Sequence, residues 1–287
     1  MKRVAIVANV NKTSVIDEVK KIIQKLLQKN MTIFLDSALS KKVSFPQYTA
    51  SNEELYSQAD LLIAVGGDGT FLKYSKKIKR EGLPILGINL GRLGFLTEFF
   101  LEDFYQQFDA IISGEFSTKK RALLETVQLR DGKVLDSFLS LNDTVLAKEN
   151  IARMLHVSVK VDDIFLTTYS CDGLIISTPT GSTAYSFSAG GPIVIPSSEV
   201  NLITPICPYT LSNRPIVLSA QSHISLKLEQ DVSLAKLTLD GQQVVDVEKG
   251  DIITVKRADT VVSQVVSPYV FFEIVRNKLG WKGSHLL

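Results

Sequence analysis

Three glycines, a carboxylate and a hydroxyl fall together in Gly66-Gly67-Asp68-Gly69-Thr70. Three glycines in four positions cost conformational entropy when the chain orders, so a turn built this way has a use for bare backbone. Glycine lets the backbone approach a ligand closely, and successive N–H groups at a helix start attract phosphate oxygens. An acid in that anionic neighbourhood is electrostatically costly, so Asp68 reads either as a metal partner or as a base that takes a proton from an attacking hydroxyl. Neither common phosphate loop is present: no Gly-Lys-Ser/Thr follows, and Leu72 stands where the last glycine of Gly-x-Gly-x-x-Gly belongs. The competing reading is a tight strand-to-helix turn with no ligand. Lys73, one turn after Gly69, is placed to reach a phosphate, whereas Lys76, Lys77, Lys79 and Arg80 read as a solvated face.

A second run, from Asp172 to Ser186 and on to Ser188-Ala189-Gly190-Gly191-Pro192, leads a strand into a hydroxyl-rich turn with one aromatic ring, Tyr185. A purine nucleoside suits that mixture of hydrogen-bonding groups and an apolar stacking face; an ordinary polar loop is the alternative. Other chemistry is weakly signalled. His156, His223 and His285 are isolated, and neither Cys171 nor Cys207 has zinc-ligand spacing, so no protein metal site is expected. Ser182 and Ser186 lack a nucleophile elbow and a triad histidine. The cysteines read as free thiols, structural or pocket-lining.

Positioning these residues requires an α/β frame. Val4–Ala8 predicts a buried first strand, and Ser14–Lys29 predicts an amphipathic helix with Val15, Val19, Ile22, Ile23, Leu26 and Leu27 on one face. Thr32–Leu35 is a further strand, and a short helix opens at Asn52. Leu61–Val65 is a continuous apolar run, as a parallel strand covered on both faces requires. A helix from Thr70 and a strand over Pro84–Asn89 complete a parallel crossover. Beyond about residue 103 the texture becomes β-rich: Ala122–Leu129, Asp136–Leu146, Val157–Val161, Leu174–Ser177, Ile224–Leu228, Ala235–Leu239 and Asp251–Val255, with turns at Asp131-Gly132 and Asp240-Gly241. The tail from Val270 to Leu279 reads as a helix. The expected organisation is an α/β domain over 1–103, completed by 260–287, and a mostly antiparallel β domain over 104–259.

Composition sets the outer bounds. The 287 residues are 45% hydrophobic and 22% charged, enough for more than one core, and the net charge of +2 is spread among 32 basic and 30 acidic residues. That is no nucleic-acid footprint. Val4–Ala8 is too short for a signal peptide, and no stretch approaches the ~20 apolar residues of a membrane span. A cytoplasmic protein is expected.

The sequence resembles the NAD kinase family through Gly66–Thr70, Asn142-Asp143, the segment 172–192, Pro205–Leu211 followed by Asn213-Arg214-Pro215, Asp240-Gly241-Gln242 and Lys278-Leu279-Gly280-Trp281. The resemblance spans nearly the whole chain; the first motif alone is shared with diacylglycerol kinases, so a lipid kinase is the rival, and a non-catalytic dinucleotide sensor is a third class. It implies an α/β domain with a parallel sheet, a β-rich second domain, a homotetramer or homodimer, ATP (or polyphosphate) and NAD as substrates, and Mg²⁺. It implies Asp68 as base on the adenosine 2′-hydroxyl, with Gly66, Gly67, Gly69, Thr70 and Lys73 around the phosphates. Asn142, Asp143, Thr183, Ala184, Tyr185, Ser186 and Ser188 would line the adenosine end, and Asp172 and Cys207 the nicotinamide half; Arg153 and Gln242 match further ligand positions. Three residues depart from the family pattern: Asp143 replaces the commoner Glu, Ser170 a frequent Arg, and Tyr209 a frequent His.

Overall fold

The computed structural model describes residues 1–78, 80, 82–91, 94–149, 153–229, 235–267, 269 and 271–281. It separates into two compact units, Met1–Lys120 with Val262–Leu287, and Arg121–Val261. Lys79, Val270 and His285 fall outside the described residues.

The first unit runs β1 (Arg3–Ala8), α1 (Thr13–Gln28), β2 (Thr32–Leu35), α2 (Ser37–Val43), α3 (Asn52–Ser57), β3 (Leu61–Gly66), α4 (Asp68–Ser75), β4 (Pro84–Asn89), β5 (Phe99–Phe100), α5 (Leu101–Gln106) and α6 (Phe108–Ser113). Its strands lie parallel in the order β2-β1-β3-β4-β5. Every residue of β3 is buried, which is why its sequence is apolar without alternation. Helix α1 buries Val15, Ile16, Val19, Ile22, Ile23 and Leu26 and turns its Lys and Glu residues outward. The connections reverse direction between β1 and β3, and the carboxyl ends of both strands lie side by side, with Ala8 opposite Val65. In open α/β sheets that crevice is where ligands bind.

Two expectations shift here. The unit continues to Lys120, past the expected boundary at 103, which would cut α5. The reason is packing: Phe104, Phe108 and Ile111 of α5 and α6 belong to the first core. Helix α4 begins at Asp68 and not at Thr70, so the acid occupies its first turn.

The second unit contains β6 (Thr118–Arg130, entering from the first), β7 (Lys133–Ser140), β8 (Asp143–Lys148), β9 (Leu155–Val161), β10 (Ile164–Cys171), β11 (Gly173–Ser177), the one-turn α7 (Tyr185–Ser188), β12 (Val200–Ile206), β13 (Ile216–Ser219), β14 (Ile224–Leu228), β15 (Ala235–Leu239), β16 (Gln243–Val247) and β17 (Ile252–Val265). One antiparallel sheet has the order β13-β12-β11-β8-β15-β16. The strands β10-β9-β14-β17 form another antiparallel series, with the β6–β7 hairpin joined to β17. Leu146, Leu174, Ile176 and Leu237 from one set share a core with Val157, Val159, Leu226 and Ile253 from the other. The single run expected over 136–146 is broken into β7 and β8 at Leu141-Asn142, because a tertiary carboxylate captures the backbone there. Strand β10 carries no legible alternation because three consecutive apolar residues, Ile164, Phe165 and Leu166, are exposed, and in β12 Pro205 demotes the strand pattern. The last residues of β17 pair with β4, and α8 (Phe271–Leu279) lies in the first unit. Among the described residues no helix is long and apolar enough to cross a membrane.

Candidate active site

In the first unit the glycines of the turn have two different reasons. Gly66 sits at φ +154, and a Cβ there would meet the Thr70 hydroxyl at 2.5 Å. It is needed to close the turn. A Cβ on Gly67 or Gly69 would meet nothing within 4 Å, so these two leave open space beside the backbone. Helix α4 starts with no capping side chain, a start that a bound anion can cap.

Asp68 is held by a second loop. Its Oδ1 accepts from the Leu96 N–H (3.1 Å), the Thr97 N–H (2.9 Å) and the Thr97 hydroxyl (2.9 Å), and its Oδ2 accepts from the Phe95 N–H (3.0 Å). Lys278 Nζ of α8 stands 3.9 Å from Oδ2 and over the Phe95 ring, which also meets Phe271. Asn89 at the end of β4 donates to the Thr97 hydroxyl. A Cβ on Gly94 would collide with the Asp68 carboxyl. The carboxyl group is thus fixed in place with Oδ2 the less occupied oxygen and its side chain about one-third exposed.

Two cavities flank this carboxylate turn. One, of 260 Å³, is lined by Asn9, Lys12, Gly66, Gly67, Asp68, Asn89 and Lys278 among others; the second, of 420 Å³, by Asn9, Asn11, Lys12, Gly67, Gly69, Thr70, Lys73 and Tyr74. Both open at the carboxyl ends of β1 and β3. Lys73 lies over the Tyr74 ring at 5.1 Å, and the Tyr74 hydroxyl donates to Asp36, the cap of α2. Burial and that hydrogen bond push the Tyr74 phenol up, keeping it a neutral donor.

In the second unit the residues singled out from sequence divide between the two ends of β11. At its carboxyl end, Asp143 lies across from Ser177. Thr178 leads into a 3-10 turn, Thr180–Thr183, and then α7. Ser182 Oγ donates to the Pro179 carbonyl and accepts from the Val194 N–H, and Thr183 donates to Thr180. Tyr185 and Phe187 leave 46% and 38% of their surfaces exposed. Ser186, in contrast, is fully buried and bonded to Thr204 at 2.8 Å. The Asp143 carboxyl is 4% exposed; burial first, then the charge of Asp240, push its pKa up to about 7, against a stabilising Tyr185 N–H. Gln242 is exposed just past the Asp240-Gly241 turn.

At the amino end of β11 stand Asp172, paired with Lys148 at 2.5 Å, and Cys207, exposed at φ +45. Ser170 Oγ bonds His156 Nδ1 at 2.9 Å, and the Tyr209 N–H donates to the Ser170 carbonyl. Five strand residues separate the two groups, roughly 16 Å at the usual rise. Cys171 is buried, which pushes its thiol up to about 11 and removes thiolate chemistry near neutrality. Arg153 is exposed, two residues before β9, whose Leu155 pairs with Cys171.

The model described as the ATP-NAD kinase N-terminal domain matches residues 4–116, and that of the ATP-NAD kinase C-terminal domain residues 141–266. The chain belongs to the NAD kinase family. Relatives include the NAD kinase of Syntrophotalea carbinolica, 38% identical over 98% of this chain and 99% of the relative, and that of Thermoanaerobacter sp., 37% identical over 97% and 99%. Among solved structures, yeast NADH kinase complexed with NADH is similar with a TM-score of 0.91 at 30% identity, covering 100% of this chain and 90% of that one. An NAD kinase from Archaeoglobus fulgidus in complex with ATP has a TM-score of 0.74 at 28% identity, with 97% of each chain covered. The two-domain NAD kinase fold expected from sequence is therefore the observed one. A lipid kinase, and polyphosphate as donor, find no support in these matches.

Sequence reasoning missed Asn89, Gly94, Thr97 and Lys278 as neighbours of Asp68. They lie at least 21 residues from it, in elements whose local patterns mark no site. The one available signal was the clustering of turn residues in Gly91-Arg92-Leu93-Gly94 after a buried strand.

Proposed function

We propose that this chain phosphorylates the 2′-hydroxyl of the adenosine ribose of NAD, with ATP as donor and NADP as product. The observation that carries the reading is a fixed carboxylate, Asp68, at the mouth of an open glycine turn in a chain of this family. Asp68 Oδ2 takes the hydroxyl proton as the phosphoryl group is transferred, and the donor's phosphates lie along Gly67 and Gly69 with Lys73 beside them. Thr183, Ala184 and Ser188 border the adenosine, Tyr185 stacks on its base, and Asn142 and Asp143 face its ribose. Ser186, already committed to Thr204, shapes that loop. Asp172 and the backbone at Cys207 serve the nicotinamide half; Arg153 and Gln242 are further ligand positions.

Magnesium fits this scheme as an ion held mostly by donor phosphates and water, since among the described residues no group of three or more His, Cys, Asp or Glu side chains is built to hold a metal. Asp68 would be the carboxylate available to face such an ion, which would supply shielding of phosphate charge. A cytoplasmic homotetramer or homodimer completes the proposal, the subunit number being measurable by sedimentation.

The test is NADP formation from NAD or NADH with ATP, polyphosphate or labelled ATP plus diacylglycerol. NADP from NAD and ATP is expected, and labelled lipid in its place would overturn the reading. Asp68→Asn should reduce kcat by about 10²- to 10⁴-fold, with KM for NAD changed by roughly two-fold at most; near-wild-type turnover would remove Asp68 as the base.

A further inference from the structure

Asn142 and Asp143 owe their place to a residue far away in sequence. Asp240 and Gly241, at φ 52 and φ 62, open the three-residue connection between β15 and β16. The Asp240 side chain turns inward, and the residue is 8% exposed. Its Oδ2 accepts from the Leu141 N–H at 3.0 Å, and its Oδ1 from the N–H groups of Asn142 at 2.7 Å and Asp143 at 3.3 Å. The Asp240 N–H in return donates to the Asp143 carbonyl at 3.0 Å. Consecutive backbone N–H groups that converge in this way make an anion site, and here the anion is supplied by the protein.

The opposite side of the same corner is gripped by the loop after β11. Thr178 donates through its hydroxyl to the Leu141 carbonyl at 2.6 Å and through its N–H to the Asn142 carbonyl at 2.9 Å. Gly181 lies so close to that Asn142 carbonyl that any Cβ would collide with it. The corner is thus clamped between a hairpin turn and the nucleoside-type loop, and each removes freedom the other leaves.

We infer that Asp240 is a positioning residue for the nucleoside subsite: it contacts the Asn142–Asp143 backbone in place of ligand, and fixes where those two side chains are presented. The inference deepens the NAD kinase reading and, in its ligand-binding arm, rests on it. Only an ionised carboxylate satisfies all three donors. An amide keeps one acceptor and turns an N–H toward another N–H. Asp240 also acts on the charge of its neighbour. The groups bearing on the Asp143 carboxyl are Asp240 from the β15–β16 turn and the Tyr185 N–H from α7. Ser177, opposite it on β11, carries a buried hydroxyl without a hydrogen-bond partner. Removing the Asp240 charge lets Asp143 ionise at lower pH.

The experiment uses the full chain and Asp240→Asn. Amide exchange across Leu141–Asp143 should quicken by about ten-fold or more, the size of a lost bond to a charged acceptor, while β11 and β12 keep their protection. KM for NAD should rise by about ten-fold with KM for ATP within roughly two-fold, and the inflection of KM for NAD against pH should move to lower pH. That last shift is not produced by a merely structural loss. Unchanged exchange together with an unchanged KM for NAD overturns the inference. Should Asp240→Asn fail to fold, Asp240→Glu keeps the charge and lengthens the reach. It should raise KM for NAD with the inflection in place, and a wild-type KM would overturn the inference. A wild-type chain inactive on NAD would instead sink the functional reading, while the exchange measurement still decides what Asp240 holds.

Discussion

The two candidate regions handle acid groups in opposite ways. In the first unit Asp68 is about one-third exposed and surrounded by four donated hydrogen bonds and an ammonium group 3.9 Å away. In the second, Asp143 is almost wholly buried beside another carboxylate, and its pKa rises to about 7. One site surrounds its carboxylate with backbone N–H donors. The other makes negative charge costly and holds a proton near neutrality. The difference shows that an acid's part is set by who donates to it, and the donors of both come from loops remote in sequence.

The comparison can be broken most severely at Gly94. Gly94→Ala places a methyl against the Asp68 carboxyl. The 94–97 loop must then shift, and kcat should fall by about 10²-fold or more, since small misplacement of a catalytic group is that costly. The matched change Gly69→Ala, where space is open, should leave the thermal midpoint within a few degrees. A wild-type kcat in Gly94→Ala would overturn the assignment of Gly94 as the glycine that makes room for the Asp68 carboxyl.

Asp143 supplies a pH test with a definite sign. Its folded pKa lies above the ordinary carboxylate value of 3.8, so the folded state binds this proton more tightly than the unfolded chain. The resulting stabilisation is complete at acid pH and is lost as pH rises through about 7. The full effect is on the order of 4 kcal/mol. Denaturant unfolding at about pH 5 and pH 8 should show wild type losing stability more steeply than Asp143→Asn. Parallel profiles would place the buried proton elsewhere.

The smallest effect belongs to Tyr185, whose exposed ring is proposed to stack on adenine. Tyr185→Ala should raise KM for NAD by roughly five-fold, about 1 kcal/mol of stacking, without altering KM for ATP. Tyr185→Phe should behave as wild type in the same assay.

Much of the frame was legible because it is written in local periodicity. The apolar Leu61–Val65 run, the helical spacing of Val15 to Leu26 and the boundaries of Ile224–Leu228 and Ala235–Leu239 follow from burial of one or both faces of an element. The break at Leu141-Asn142 was not legible, because the group that makes it, Asp240, lies 98 residues from Asn142.

By itself the sequence determined that residues 66–70 form a glycine turn between a buried strand and a helix, and that 172–192 lead a strand into a hydroxyl-rich turn, since both are short-range properties of residue type. Only the tertiary structure decided that Asp68 is pinned by Phe95–Thr97, that Ser186 is buried, and that Asp143 shares its surroundings with Asp240. Burial and hydrogen-bond geometry depend on which distant segments meet, and no local pattern carries that.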